Sequence, residues 1–238
     1  MLRMLFGEAP AKPEGRMAEA VQAMTDYASL LHKLVEEGKD RNHKARTYEI
    51  WTIGLIASLD ELEQSCYAAS RFCAMVKSSS VEDMGPDERL NYRRYVYFDK
   101  NAFIRLFAML DKLGTLLNDM LSLETEQFKR QFSYFTVLHR MRDKKLHPGL
   151  AGPLTDIKNQ YDEPIVRLRK RRNVEIHSMN SELQDDLMQL HLNFGDEVKL
   201  EDINSQMEDL AQCLDMAAGT VHLVFDYALS LLKPAVSK

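Results

Sequence analysis

Residues 98–120 read FDKNAFIRLFAMLDKLGTLLNDM, and within them Phe98, Ala102, Leu106, Leu110, Leu113, Leu117 and Met120 step by three or four. That spacing sets one apolar stripe along an α-helix, because side chains three and four residues apart share a face. The same period extends to about Asp87 on one side and Leu123 on the other. A stripe this long and this apolar marks the central core helix, and the rest of the chain is read against it.

Outward from it the same period recurs. Ala20, Val21, Met24, Tyr27, Ala28, Leu31 and Leu34 predict a helix over 16–37, closed by Gly38. Ile50, Ile53, Leu55, Leu59 and Leu62 predict a second over 45–77, ended by the turn chemistry of SSSVEDMGPDE, residues 78–88. Phe128, Phe132, Phe135, Leu138 and Met141 predict a helix over 126–144. His147-Pro148-Gly149 then reads as the start of a loop reaching Pro153. A basic helix is expected over 155–179, an ambiguous acidic stretch over 180–200, and a regular helix over 200–233. The expectation is an all-α bundle of about six helices: a flexible tail over 1–14 and a single domain over 15–238.

Composition agrees with helices. The chain holds 10 glycines and 7 prolines in 238 residues, against the roughly 17 and 12 of average usage, too few for the many tight turns of an all-β fold. Net charge is −5, so any nucleic-acid site has to be a local basic patch. Cys66, Cys73 and Cys213 form no CxxC pair and read as buried free thiols in a reducing compartment. His32, His139, His191 and His222 lack metal-ligand spacing, and no metal or cofactor is expected. The opening MLRMLFGEAPAKPEG has too short an apolar run for a secretory signal, and no window suits a membrane span, so a cytoplasmic protein is expected.

Chemistry concentrates in one place. Residues 167–172 read RLRKRR, followed by Asn173, Val174, Glu175, Ile176 and His177. An imidazole titrates near pH 6.5 and can move a proton at cellular pH, whereas a guanidinium stays charged and can neutralise a phosphate. On a helix Asn173 and His177 share a face. Arg172 lies about 140° round from His177, at 100° per residue. The two converge only where a helix starts or bends, or across a dimer. Arg167, Arg169, Lys170 and Arg171 form the expected nucleic-acid-binding run. A second Arg–polar…His spacing, Arg142-Asp143 to His147, stands at a helix end. Tyr97, Asn101 and Arg105 read as an interhelical polar stripe.

Arg172, Asn173 and His177 resemble the hallmark of the HEPN superfamily: Arg, four to six residues, then His, with a polar residue directly after the Arg. YFDKNAFIRLFAMLDKLG (97–114), FSYFTVLHRM (132–141) and RNVEIHSMN (172–180) are similar to a branch of stand-alone bacterial HEPN proteins of about this length. The resemblance implies a helical domain acting on RNA as a homodimer, with Arg172, Asn173 and His177 as the catalytic set of a metal-independent endoribonuclease. A defence or stress role, toxin-like and with an inhibitory protein partner, would follow from it. The alternative is a non-catalytic nucleotide- or RNA-binding or protein-interaction module, and a third reading is a structural bundle carrying the motif by coincidence.

Overall fold

A computed structural model describes residues 2–177 and 202–236, with side chains as far as Leu232. About 80% of the described residues are helical, and none forms a strand. Among the described residues, eight α-helices follow a short 3-10 turn at Leu2–Phe6: α1 Gly15–Glu36, α2 Lys44–Cys73, α3 Pro86–Met120, α4 Thr125–Phe128, α5 Tyr134–Asp143, α6 Pro148–Gln160, α7 Asp162–His177 and α8 Ile203–Val236. No helix among the described residues is long and apolar enough to cross a membrane. The expected stretch 180–200 lies outside the described residues.

Among the described residues, the count of eight helices rather than about six arises at two places, each with a local cause. The helix expected over 126–144 is divided into α4 and α5. Ser133 caps α5 by accepting from the Thr136 amide, while Thr136 Oγ1 accepts from the Ser133 amide, which satisfies donors that a through-going helix would not leave open. Phe128, counted in the apolar stripe, is 69% exposed. The loop expected to run from His147 is instead α6. Pro148 takes the first helical position, where a missing N–H is harmless, and Pro153 is accommodated inside the helix. The helix expected to begin at 155 accordingly divides at Tyr161, with Asp162, Glu163 and Pro164 opening α7. Carboxylates and proline at that position are start signals, which the helical period alone does not reveal.

Packing divides the chain into two units. The first comprises 1–10, 62–105 and 162–214, and so takes the later part of α2, the earlier part of α3, all of α7 and the start of α8. Its core includes Leu62, Phe72, Tyr95, Phe103, Ile165 and Leu168. Phe72 stacks on Phe98 at 5.7 Å. Residues 2–8 belong to this unit through specific contacts. Arg3 pairs with Glu63 at 2.6 Å, Phe6 packs on Tyr67 and Phe72, and Tyr67 donates to Glu8.

The second unit comprises 11–61, 106–161 and 215–238. Met24, Tyr27, Leu59, Leu110, Leu113 and Phe225 lie in its core, with the Tyr27 ring edge-on to Phe225 at 5.4 Å. Lys44 and Tyr48 both reach Asp119, at 2.9 and 2.8 Å, and fix the start of α2 to the end of α3. The α3 stripe behaves as the sequence indicates: Ala102, Leu106, Leu110, Leu113 and Leu117 are all fully buried. All three cysteines are free and buried, and burial pushes the Cys213 thiol up to about 12, so these thiols stay protonated at neutral pH.

At Gly114 the α3 backbone meets α5. A Cβ there would stand 2.8 Å from Tyr134 Cα, a backbone atom that cannot swing away. Gly152 in α6 has open space around it. Gly114→Ala is therefore expected to destabilise by about 1–3 kcal/mol, as overpacking does. Gly152→Ala should leave stability unchanged or slightly raised. Thermal unfolding of the two variants checks the contrast.

Candidate nucleic-acid interface on α7

α7 is a single helix through His177, and its two sides differ. Pro164, Ile165 and Leu168 are buried on one side. Arg172 follows Ile165 at i+7 and Leu168 at i+4, so it lies along that side, half-buried. Val166, Arg169, Lys170, Asn173, Val174 and His177 line an open depression on the opposite side. Those six positions follow i, i+3, i+4, i+7, i+8, i+11, one continuous helical face.

The basic run is split by this geometry. Arg167 turns to Asp209 on α8, donating Nε at 2.8 Å and Nη2 at 2.7 Å, a bidentate fork that also reaches Glu163 at 3.5 Å. The Asp209 hydrogen bonds hold the Arg167 guanidinium well above its usual range. Arg171 donates to Asp99 on α3, a carboxylate only 2% exposed, and to Gln206 Oε1 at 3.2 Å. Its guanidinium also lies over the Phe103 ring at 5.1 Å. Tyr95 donates to the same Gln206 oxygen at 2.9 Å. Lys100 and Glu175 pair at 2.7 Å beside this cluster. Arg167 and Arg171 are thus held by carboxylates inside the unit. Arg169 and Lys170 are the cations of the run that share the outward face.

Of the three motif residues, Asn173 and His177 come together on that face, one turn apart and both exposed. Arg172 does not join them, because α7 runs as one continuous helix from 162 to 177 and sets residues five apart about 140° round from each other. Within one chain the three do not form a single cluster.

Two features of this face escape a reading of charges alone. Val166 and Val174 are exposed aliphatics among the cations; their spacing to Asn173 and His177 was the available signal. The engagement of Arg171 by α3 was signalled from the other side. Asp99 stands four residues from both Tyr95 and Phe103 in the apolar stripe of α3, where an acid needs a cation.

The second Arg–His spacing is placed differently. Arg142 lies beside His139 and Asp143, while His147 Nδ1 is 2.9 Å from Tyr227 Oη. Asn101 accepts from Ser65 at 3.2 Å and from Arg105, so this part of the polar stripe joins α2 to α3. Among the described residues no group of three His, Cys, Asp or Glu side chains is placed to hold a metal ion.

A family model of Cthe2314-like HEPN proteins matches residues 51–229, about three quarters of the chain, from within α2 to within α8 and including all of α7. No curated protein and no solved structure matches the chain.

The two kinds of cation on α7 separate in experiment. Arg171→Ala leaves the Asp99 carboxylate buried without its guanidinium, which is expected to cost on the order of 3 kcal/mol. Lys170→Ala, on the exposed side, should shift stability by less than about 0.5 kcal/mol. Urea unfolding of both variants, followed by circular dichroism, checks this.

Proposed function

The chain belongs to the Cthe2314-like HEPN family, and from that premise we propose that it acts on RNA as a metal-independent endoribonuclease assembled from two copies. The observation that carries this reading is the outward face of α7, where Asn173 and His177 stand one turn apart beside Arg169 and Lys170. Arg169 and Lys170 offer charge to an RNA backbone. The Asn173 amide is spaced to orient the imidazole, and His177 can accept and return a proton.

In this reading the ribose 2′-hydroxyl attacks the adjacent phosphorus and gives its proton to an imidazole. The bond from phosphorus to the 5′-oxygen breaks, and that oxygen leaves protonated. The products are a 2′,3′-cyclic phosphate and a free 5′-hydroxyl. Arg172 would stabilise the charge on the pentacoordinate phosphorus. Since Arg172 and His177 lie on different sides of one continuous helix, the working set is composite, with groups drawn from both copies about a two-fold axis. A defence or stress role held in check by an inhibitory partner belongs to the same reading, as does a cytoplasmic setting.

The same separation favours a second reading, a module that binds RNA or nucleotide on the α7 face and cuts nothing. Binding needs only cations and an accessible face, and it falls as salt rises.

The readings part on one set of measurements with purified protein and total RNA in EDTA. If the chain is a nuclease, His177→Ala should lower cleavage about 10²–10⁴-fold, the usual worth of a proton shuttle. Arg172→Lys should also lose most activity, since the point charge lacks the planar fork. The cut ends should be 2′,3′-cyclic phosphates, and His177→Ala should melt with the parent. RNA retention without any cleavage by the parent protein would leave the binding module standing in place of the enzyme.

A further inference from the structure

Tyr97, in the earlier part of α3 and so in the same unit as α7, is left over from the polar stripe. Asn101 is engaged by Ser65 and Arg105, which both donate to it, but Tyr97 is 62% exposed. Its ring is held in place all the same. It stands at 5.1 Å and 82° to Phe98. Phe98 stacks on Phe72, nearly parallel at 10°, and the buried Phe72 packs on Phe6 at 5.0 Å. Four rings thus run from the N-terminal turn to the surface, and the outermost of them is mostly in water. A ring ordered beforehand by its neighbours gives up little entropy when a ligand covers it.

Cations stand beside that ring. Arg93 and Arg94 precede Tyr97 by four and three residues, one turn earlier on the same side of α3, and both are exposed. Arg94 shares the aromatic support, its guanidinium lying over the Phe72 ring at 5.4 Å. From Arg89 to Arg105 the chain carries five cations and a single acid, Asp99, which is buried against Arg171. The outward side of this stretch is therefore positive in a chain whose net charge is −5.

A ligand suited to this face presents a flat π surface and an anion close together. An acidic peptide supplies the anion, and an aliphatic surface covers the ring; a nucleotide does both. Bases stack on aromatic side chains whatever their sequence, while the phosphates between them meet the cations. A duplex keeps its bases stacked inside, so only an unpaired strand can lay a base on the ring. We propose that Tyr97, Arg93 and Arg94 form a subsite that takes one unpaired nucleobase on the tyrosine ring and the adjoining phosphates on the two guanidinium groups. This rests on the reading of the chain as RNA-acting and adds to it a contact outside α7. Lys100, three residues after Tyr97, pairs with Glu175 of α7 at 2.7 Å, so the subsite keeps a fixed position relative to the α7 face.

The test is binding of a short fluorescein-labelled oligouridine with 2′-O-methyl riboses, which cannot be cut, followed by anisotropy on the full chain. Tyr97→Ala is expected to weaken binding about 5- to 100-fold, the usual effect of losing one stacked base, and to leave the salt dependence as it was. Tyr97→Leu, which still covers Phe98 but offers no π face, should lose as much, so the result does not hang on the fold of the alanine variant. Tyr97→Phe keeps the ring and should bind as the parent does. Arg93→Ala should weaken binding and reduce the slope of log affinity against log salt by about 0.7, one phosphate contact on a single strand. The same strand annealed to its complement should bind Tyr97→Leu and the parent alike. Equal affinity of Tyr97→Leu and the parent for the single strand overturns the proposal, and weaker binding by Lys170→Ala then keeps the α7 reading in place. A loss in Tyr97→Leu with none in Lys170→Ala supports the subsite and counts against the α7 face. A parent that holds no single strand overturns both. Polyglutamate that displaces the strand as well as unlabelled oligouridine does at equal charge also overturns the proposal, because the face would then read charge alone.

Discussion

The buried pair between Arg171 and Asp99 decides what α7 can do. A carboxylate that is 2% exposed on α3 requires a cation within reach, and α7 supplies it, with Gln206 of α8 and the Phe103 ring completing the guanidinium's surroundings. One turn earlier, Arg167 repeats the arrangement with Asp209. These two anchors, four residues apart on one side of the helix, fix its rotation. Once the rotation is fixed, Arg169, Lys170, Asn173 and His177 have to face away. The outward chemistry of α7 is thus set by the pairs on its inner side.

A run of five cations in six residues carries two jobs, and the pattern of neighbours tells them apart. Arg167 and Arg171 flank the buried Leu168, whereas Arg169 and Lys170 fall in step with the exposed Val166 and Asn173. Counting charges merges the two groups; helical phase separates them. For the same reason a net charge of −5 is uninformative about this surface, because acids such as Asp99 and Asp209 are spent inside the unit against part of the basic run.

The long helices were legible in the sequence because their period persists over many turns. Each of α1, α2, α3 and α8 begins or ends within a few residues of the position its apolar stripe indicates. The short ones were not. Lys129 to Gln131 interrupts a row of phenylalanines that keeps its spacing across the gap, so periodicity alone runs α4 into α5. Pro148 and Pro153 read as breakers, yet one sits where a helix can begin and the other is absorbed inside it. The motif residues could be named from sequence, and so could the phase problem between Arg172 and His177. Which of Arg167, Arg169, Lys170 and Arg171 face outward depended on Asp99 and Asp209, which are distant in the chain.

The α7 face sets a condition on how a second copy would meet it. Two copies of the α7 face brought together about a two-fold axis oppose Arg169 and Lys170 with the same cations, and like charges in contact repel. In the proposed reading a polyanion between the faces would remove that repulsion and so link association through α7 to RNA: whatever free energy RNA gained from a second basic face would be gained by the pairing as well. Under that reading, salt would weaken RNA binding and the pairing of copies together, because both would run through the phosphates.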